Sequence, residues 1–218
     1  MHTMTRKERT KVMKVLLING SPHKDGTTYA ALSEVKKTLE TEGVECEIIQ
    51  VGHLTIPGCR GCGACFKTGK CVTDDIVNEV SKKFEEADGI IVGSPVHYAA
   101  PSGALICFLD RLFYTTHFDK RDKVGAAVVC ARRGGCSAAF DVLNKYFTIS
   151  QMPVVTSTYW NMVHGANADD AAFDEEGMLC MRNLARNAVF LMKSIALGKE
   201  KHGLPEKENR VRTNFIKR

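Results

Sequence analysis

The sequence predicts a doubly wound α/β domain with a five-stranded parallel sheet, and three observations carry that prediction. Short apolar runs rich in Val and Ile alternate with segments whose apolar residues recur every three or four positions. The runs are continuous, as strands covered on both faces must be. Strict β-α alternation with short connections closes through right-handed crossovers, which place helices on both faces of one sheet.

The elements follow in order. Lys14–Asn19 (KVLLIN) is the first strand, and Tyr29, Leu32, Val35 and Leu39 form the apolar stripe of the helix behind it. Val44–Val51 is the second strand, followed by a helix carrying Ile76, Val80 and Phe84. Gly89–Gly93 is the third, with Leu105, Leu109, Leu112 and Phe113 next. Val124–Cys130 is the fourth, with Phe140, Leu143 and Phe147. The fifth and weakest strand is Met152–Thr156, and a last helix over Glu175–Leu197 presents Met178, Met181, Leu184, Ala188, Leu191 and Met192. No repeat or Pro/Gly-rich linker divides the body, so residues 14–197 read as one domain between a basic arm (1–13) and a basic tail (198–218).

Charge and composition exclude several classes of function. Residues 1–14 hold five Lys or Arg against one Glu, and residues 198–218 hold seven against three. The net charge of +5 therefore belongs to the ends and leaves the body slightly acidic, so no nucleic-acid partner is expected. The tail reads as a solvated arm or one lying on a partner subunit. No segment approaches the roughly 20 apolar residues of a membrane span. The polar first eleven residues and the short run Val15–Ile18 lack a signal peptide's core, so the cytoplasm is the expected compartment. In a reducing compartment the nine cysteines are core filler, metal ligands or redox groups.

In a doubly wound sheet, ligands bind beyond the carboxyl ends of the strands, so the loops there are the candidates for function. After the first strand, Asn19–Thr28 combines Gly20 and Gly26 with Ser21, His23, Thr27 and Thr28 at a helix N-terminus, a donor-rich cup for one phosphate. It lacks both the Gly-Lys-Ser/Thr ending of a triphosphate loop and the Gly-x-Gly-x-x-Gly spacing of a dinucleotide loop. After the third strand, Pro95-Val96-His97-Tyr98 sets an imidazole and a phenol where a flat aromatic ligand would find stacking and edge hydrogen bonds. After the fourth, Ala131-Arg132-Arg133-Gly134-Gly135 adds two cations able to stabilise negative charge on a ligand ring. Tyr159–Gly165 follows the fifth strand with the single Trp160 and with His164, a candidate proton donor.

The cysteine loop is the remaining motif. Cys59, Cys62, Cys65 and Cys71 lie in a Gly-rich stretch spaced C-x2-C-x2-C-x5-C, and four thiolates so close in sequence can wrap one cluster or metal. A [4Fe–4S] cluster, free thiols, zinc and a disulfide all remain open at this point. The other five, Cys46, Cys107, Cys130, Cys136 and Cys180, fall in or beside apolar elements and read as core.

The three loops together resemble the flavodoxin-like NAD(P)H-dependent FMN reductase and quinone reductase family over residues 14 to about 165. The likeness is carried by Gly20-Ser21-Pro22 with Gly26-Thr27-Thr28, by Ser94–Tyr98, and by Ser102-Gly103 followed by Phe108-Leu109-Asp110-Arg111. The cysteine run resembles the compact motif of iron-sulfur flavoproteins in the same superfamily, and the longer string from Ile56-Pro57-Gly58 through the four cysteines to Asp74-Asp75 also resembles family members that hold FMN alone, in which the loop is structural or borders the active site. The resemblance implies a flavodoxin-like fold with FMN: Ser21, Thr27 and Thr28 at its phosphate, Pro95–Tyr98 along the isoalloxazine, and Ala131–Gly135 at the pyrimidine side. Thr27 stands where many members carry Asn, and Ile106 where a Lys is common.

The function expected is an FMN-dependent oxidoreductase in which NAD(P)H delivers hydride to the flavin, which then reduces a small acceptor such as a quinone, flavin, nitro or azo compound. Arg132 and Arg133 would favour anionic reduced flavin, while His97, Tyr98 and His164 are the candidate catalytic side chains. The alternative is an electron carrier with a [4Fe–4S] cluster on Cys59, Cys62, Cys65 and Cys71. The resemblance also implies a homodimer or higher homo-oligomer.

Overall fold

The computed structural model describes residues 12–209, 211 and 213. Most of the expected N-terminal arm, residues 1–11, lies outside the described residues, as do 210, 212 and 214–218 of the tail. The sheet runs β2-β1-β3-β5-β6, all parallel, with β1 (Lys14–Asn19), β2 (Glu45–Gln50), β3 (Gly89–His97), β5 (Val124–Ala131) and β6 (Met162–His164); β4 (Ala100–Pro101) folds back antiparallel on the end of β3. This is the flavodoxin-like strand order, and it reverses direction between β1 and β3.

Alternation along the central strands divides the core. Val15, Leu17, Ile91, Val124, Ala126 and Val128 face α1 (Thr27–Thr41) and α7 (Glu175–His202). Leu16, Ile18, Ile90, Val92, Ala127 and Val129 face α3 (Ile76–Glu86), α4 (Gly103–Thr115) and α5 (Cys136–Ile149). Two short helices, α2 (Cys65–Thr68) and α6 (Ala168–Phe173), escape periodicity because each is too short to show a stripe. The α1 stripe is also shifted: Ala31 is buried, whereas Tyr29 is exposed.

The fifth strand is not at Met152–Thr156 as expected. That segment makes one parallel bridge, Val154 with Gly125, through Gly125 N to Pro153 O and Val155 N to Gly125 O. The true fifth strand is β6, paired with the end of β5 from Val129–Met162 to Ala131–His164. Between the two contacts β5 advances four residues and the edge chain eight, so the surplus loops out and carries Tyr159 and Trp160. Pro153 has no N–H to continue the ladder.

The last helix runs further than expected. α7 continues to His202, past residue 198, and Arg121 Nη1 then donates to the Pro205 carbonyl at 2.7 Å, so the start of the tail lies on the body. No helix among the described residues is long and apolar enough to cross a membrane.

Glycine is required where helices press on the sheet. A Cβ on Gly125 would stand 2.6 Å from Cγ of Phe147, and Gly103, at the start of α4, has no atom within 4 Å of the same position. Gly125→Ala is expected to cost about 1–3 kcal/mol by overpacking. Gly103→Ala should leave stability equal or higher, and urea unfolding midpoints measure both.

Candidate functional site

Backbone contacts bring the expected loops to one edge. Gly20 N donates to Gly93 O at 2.8 Å, tying the first loop to β3, and Gln50 Nε2 donates to Ser21 O at 2.6 Å. A Cβ on Gly52 would overlap the backbone of Gly20 and Ser21, so the turn after β2 packs main chain against main chain. Gly135, at φ 94°, lies against Val96 and Ala99, and Gly165 N donates to Ala131 O at 3.1 Å. The loops after β1, β3, β5 and β6 thus form one continuous rim.

Within the first loop, Ser21 N donates to Asn19 Oδ1 and His23 N to Ser21 Oγ. Asn19 Nδ2 is buried without a partner among the described residues. The threonine hydroxyls do not face this cup. Thr27 Oγ1 donates to Gly165 O and Asn167 O, and Thr28 turns inward toward Gly93 and bonds Cys130, whose thiol burial pushes up to about 12. What Thr27 and Thr28 can offer a phosphate is therefore their backbone N–H.

Helix capping separates two of the long helices, α1 and α5, from the other long ones, while the four-residue α2 is uncapped as well. The N-caps of α3, α4, α6 and α7 (Asp75, Ser102, Asn167 and Asp174) all accept a backbone N–H through their side chains. α1 and α5 begin at Gly26 and Gly135 with no side-chain cap and no acidic residue in the first turn. Both open on the carboxyl rim. Their first N–H groups and positive dipole ends are left for an anion or an electron-rich ring edge, which fits a flavin phosphate at α1.

The β3-β4 hairpin turns through Tyr98 (φ 51°) and Ala99 (φ 61°), both left-handed, and leaves the Tyr98 ring wholly exposed at 106%. Non-glycine residues rarely hold such angles, so the strain is kept by the pairs on either side, Val96 with Pro101 and His97 with Ala100. Pro95 sits in register with Cys130. His97, Arg132 and Arg133 are exposed, and neither arginine meets a carboxylate among the described residues. His164 N donates to Asp174 Oδ2 at 2.6 Å, with Nδ1 3.6 Å from the same oxygen, so the ring stands beside a carboxylate.

The cysteine loop forms a second feature, against the outer side of α4. Cys59, Cys62, Cys65 and Cys71 all line one cavity of about 460 Å³, together with Arg111 and Tyr114. Gly61, Gly63 and Gly69 take φ of 63°, 70° and 71°, which curls the chain around that space. All nine cysteines are free thiols. Among the described residues no three His, Cys, Asp or Glu side chains converge on a point for a single metal ion. The four thiols share the lining of that one cavity, and four cysteines are the donor set that a [4Fe–4S] cluster requires.

The four are not equivalent. Burial pushes the Cys65 thiol above its ordinary value, and charge on Cys59 and Cys62 adds to the rise against its own backbone N–H. Burial acts on Cys71 too, but hydrogen bonds from the Thr73 backbone and from Arg111 outweigh it and bring that thiol below its ordinary value. Cys71 is also clamped at its backbone: its N–H donates to Asn78 Oδ1 at 2.9 Å and its carbonyl accepts from Asn78 Nδ2 at 3.1 Å. Sequence reading missed Asn78 and Arg111 as parts of this site. The Phe108–Arg111 string was visible in the sequence, but its contact with the loop was not. Of the other cysteines, Cys130, Cys136 and Cys180 are buried in the core, and Cys46 and Cys107 pack at its margin.

Comparison with known proteins shows the family and the fold. Residues 13–167 match the family model described as NADPH-dependent FMN reductase. An iron-sulfur flavoprotein of Methanocaldococcus jannaschii is 35% identical over 84% of this chain and 99% of its own length. One of Methanosarcina thermophila is 28% identical over 87% of this chain and 100% of its own. Among solved structures, the NAD(P)H:quinone oxidoreductase of Methanothermobacter marburgensis superposes with a TM-score of 0.62 at 14% identity, covering 81% of this chain and 97% of that one. An archaeal flavodoxin gives 0.54 at 15%, covering 84% and 99%. At such identities the structural likeness concerns the fold.

Asn78→Ala should release Cys71 while leaving the sheet intact. The expected result is faster amide exchange over residues 71–75 and a loss of about 1–2 kcal/mol in stability, with exchange in β1 and β3 unchanged.

Proposed function

Because the chain belongs to the NADPH-dependent FMN reductase family, with iron-sulfur flavoproteins as its relatives, we propose that it is a flavin oxidoreductase that holds FMN on the carboxyl rim and a [4Fe–4S] cluster in the cysteine loop. The observation that carries the flavin reading is the pair of uncapped, acid-free helix starts, α1 and α5, opening on one rim. The cluster reading rests on four thiols around one cavity. Bound FMN exchanges a hydride or single electrons, and a [4Fe–4S] cluster exchanges electrons singly.

The chain's own residues bind and orient. Backbone N–H groups of residues 24–28, with Ser21 Oγ and the unpartnered Asn19 Nδ2 nearby, receive the phosphate. Pro95–Tyr98 would flank the ring, and the hairpin, braced by the Val96–Pro101 and His97–Ala100 pairs, leaves the exposed Tyr98 ring available to cover it. Ala131–Gly135 close the pyrimidine side, with Arg132 and Arg133 supplying positive charge. His164, whose backbone N–H donates to Asp174 and whose ring Nδ1 stands 3.6 Å from the same carboxylate, is the candidate proton donor to a reduced acceptor. Gly58–Cys71 carry the cluster, and the protein works as a cytoplasmic homodimer or higher oligomer on small acceptors. NAD(P)H is the proposed hydride donor. A second reading, favoured by the cysteine cavity, is a carrier that takes electrons one at a time from a partner.

An absorption spectrum of protein purified without oxygen, with iron and sulfide analysis, tests the cofactors. Flavin bands with roughly four irons per chain are expected, and a colourless protein overturns the reading. NADPH or NADH should bleach the flavin; bleaching by dithionite alone selects the one-electron carrier.

Gly26→Asp tests the phosphate position. A carboxylate there caps α1, so the flavin-free protein should gain about 0.5 kcal/mol, while FMN affinity falls about tenfold or more by charge repulsion. Calorimetry and fluorescence quenching of FMN measure the two opposite effects, and unchanged affinity would place the phosphate elsewhere.

A further inference from the structure

Arg111 is 2% exposed, yet it projects from α4 away from the sheet and into the cysteine loop. Its Nη1 donates to Asp75 Oδ2 at 2.6 Å and its Nη2 to Asp75 Oδ1 at 2.9 Å and Thr73 O at 3.0 Å. That bidentate pair neutralises the buried charge and uses two of the guanidinium's five N–H donors. Two further donations go to sulfur: Nε and Nη2 both stand 3.3 Å from Cys71 Sγ. Cys59, Cys62 and Cys65 have no side-chain donor on their sulfur among the described residues. One of the four thiols is therefore singled out by a buried, permanently charged double donor, and Asp75 stands behind that donor as its counter-charge.

Resting on the cluster reading above, we propose that Arg111 sets the reduction potential of the [4Fe–4S] cluster through its two hydrogen bonds to Cys71, and that Asp75 limits the effect. Reduction, with the proposed reduced FMN as the one-electron donor, would bring one electron onto the cluster and its thiolate sulfurs and add one negative charge, with no bond broken and no proton moved. Hydrogen bonds to sulfur and a nearby cation stabilise the more negative form and raise the potential. The guanidinium keeps its protons at any working pH, so the bias is fixed. Asp75 opposes it by cancelling part of the charge. Arg111 thus acts on the cluster through Cys71, as a positioning and tuning residue.

The two partners predict shifts of opposite sign, which loosening of the loop would not produce. In the full chain, loaded and purified without oxygen, the potential is read by dithionite titration with mediators, followed by electron paramagnetic resonance. Arg111→Gln is expected to move the reduction equilibrium against the reduced cluster by about tenfold or more, ~59 mV per tenfold for one electron. Arg111→Lys, which keeps the charge and loses the fork, should fall between that variant and the wild type. Asp75→Asn retains a competent cap for α3 and should shift the equilibrium the other way. If Arg111→Gln does not fold, the Lys and Asn variants still decide. Equal potentials, or shifts of one sign at both positions, overturn the inference while leaving the cluster in place. Wild-type protein without iron overturns the cluster reading and this inference together.

Discussion

The burial of three central strands on both faces is the constraint from which the rest follows. β1, β3 and β5 are closed by helices above and below, so polar groups have no outlet except at strand ends. The amino ends are taken up with short connections, and the carboxyl ends become the rim. The same burial selects glycine: Gly93 lies under Leu32 and Thr28, Gly125 under Phe147, and Gly52 against the first loop. Those close approaches hold the rim loops at fixed depth, so their backbone donors are presented by packing.

Much of this was legible in the sequence. Four of the five expected sheet strands coincide with observed ones, because Val- and Ile-rich runs flanked by polar residues have few other uses. The fifth was misplaced at Met152–Thr156 because its composition is more strand-like than that of Met162–His164. Pairing there is decided by Pro153 and by the donation of Val129 N to Asn161 O, contacts that composition does not display. The rim loops were found from their residue types. The inward turn of Thr27 and Thr28 was not, since a hydroxyl at a helix start reads the same whether it faces a ligand or a neighbouring strand. Arg111 was hidden for a related reason: forty positions separate it from Cys71, and only the fold brings them together.

The cysteine loop and the flavin rim are held differently. Rim loops are fixed by backbone bonds to the sheet, whereas the cysteine loop closes through side chains, with Asn78 of α3 and Arg111 of α4 gripping its second half. Asp75 links the two grips, accepting from Arg111 while its Oδ1 also accepts from Val77 N as the cap of α3. Breaking a buried ion pair of this kind typically costs about 3–5 kcal/mol, so this part of the loop has its own rigidity while Cys59 and Cys62 stay exposed.

The interrupted edge strand has a consequence for how molecules meet one another. Beyond β5 the sheet ends in one bridge at Val154, a looped-out stretch with Tyr159 and Trp160, and three residues of β6. Among the described residues, no continuous row of unpaired N–H and C=O groups is offered on that side. On the opposite side, β2 carries Glu45 and Glu47 among its exposed positions. Neither border is a template for another chain's strand, which protects the protein from edge-to-edge association at high concentration and leaves self-assembly to its helices and loops.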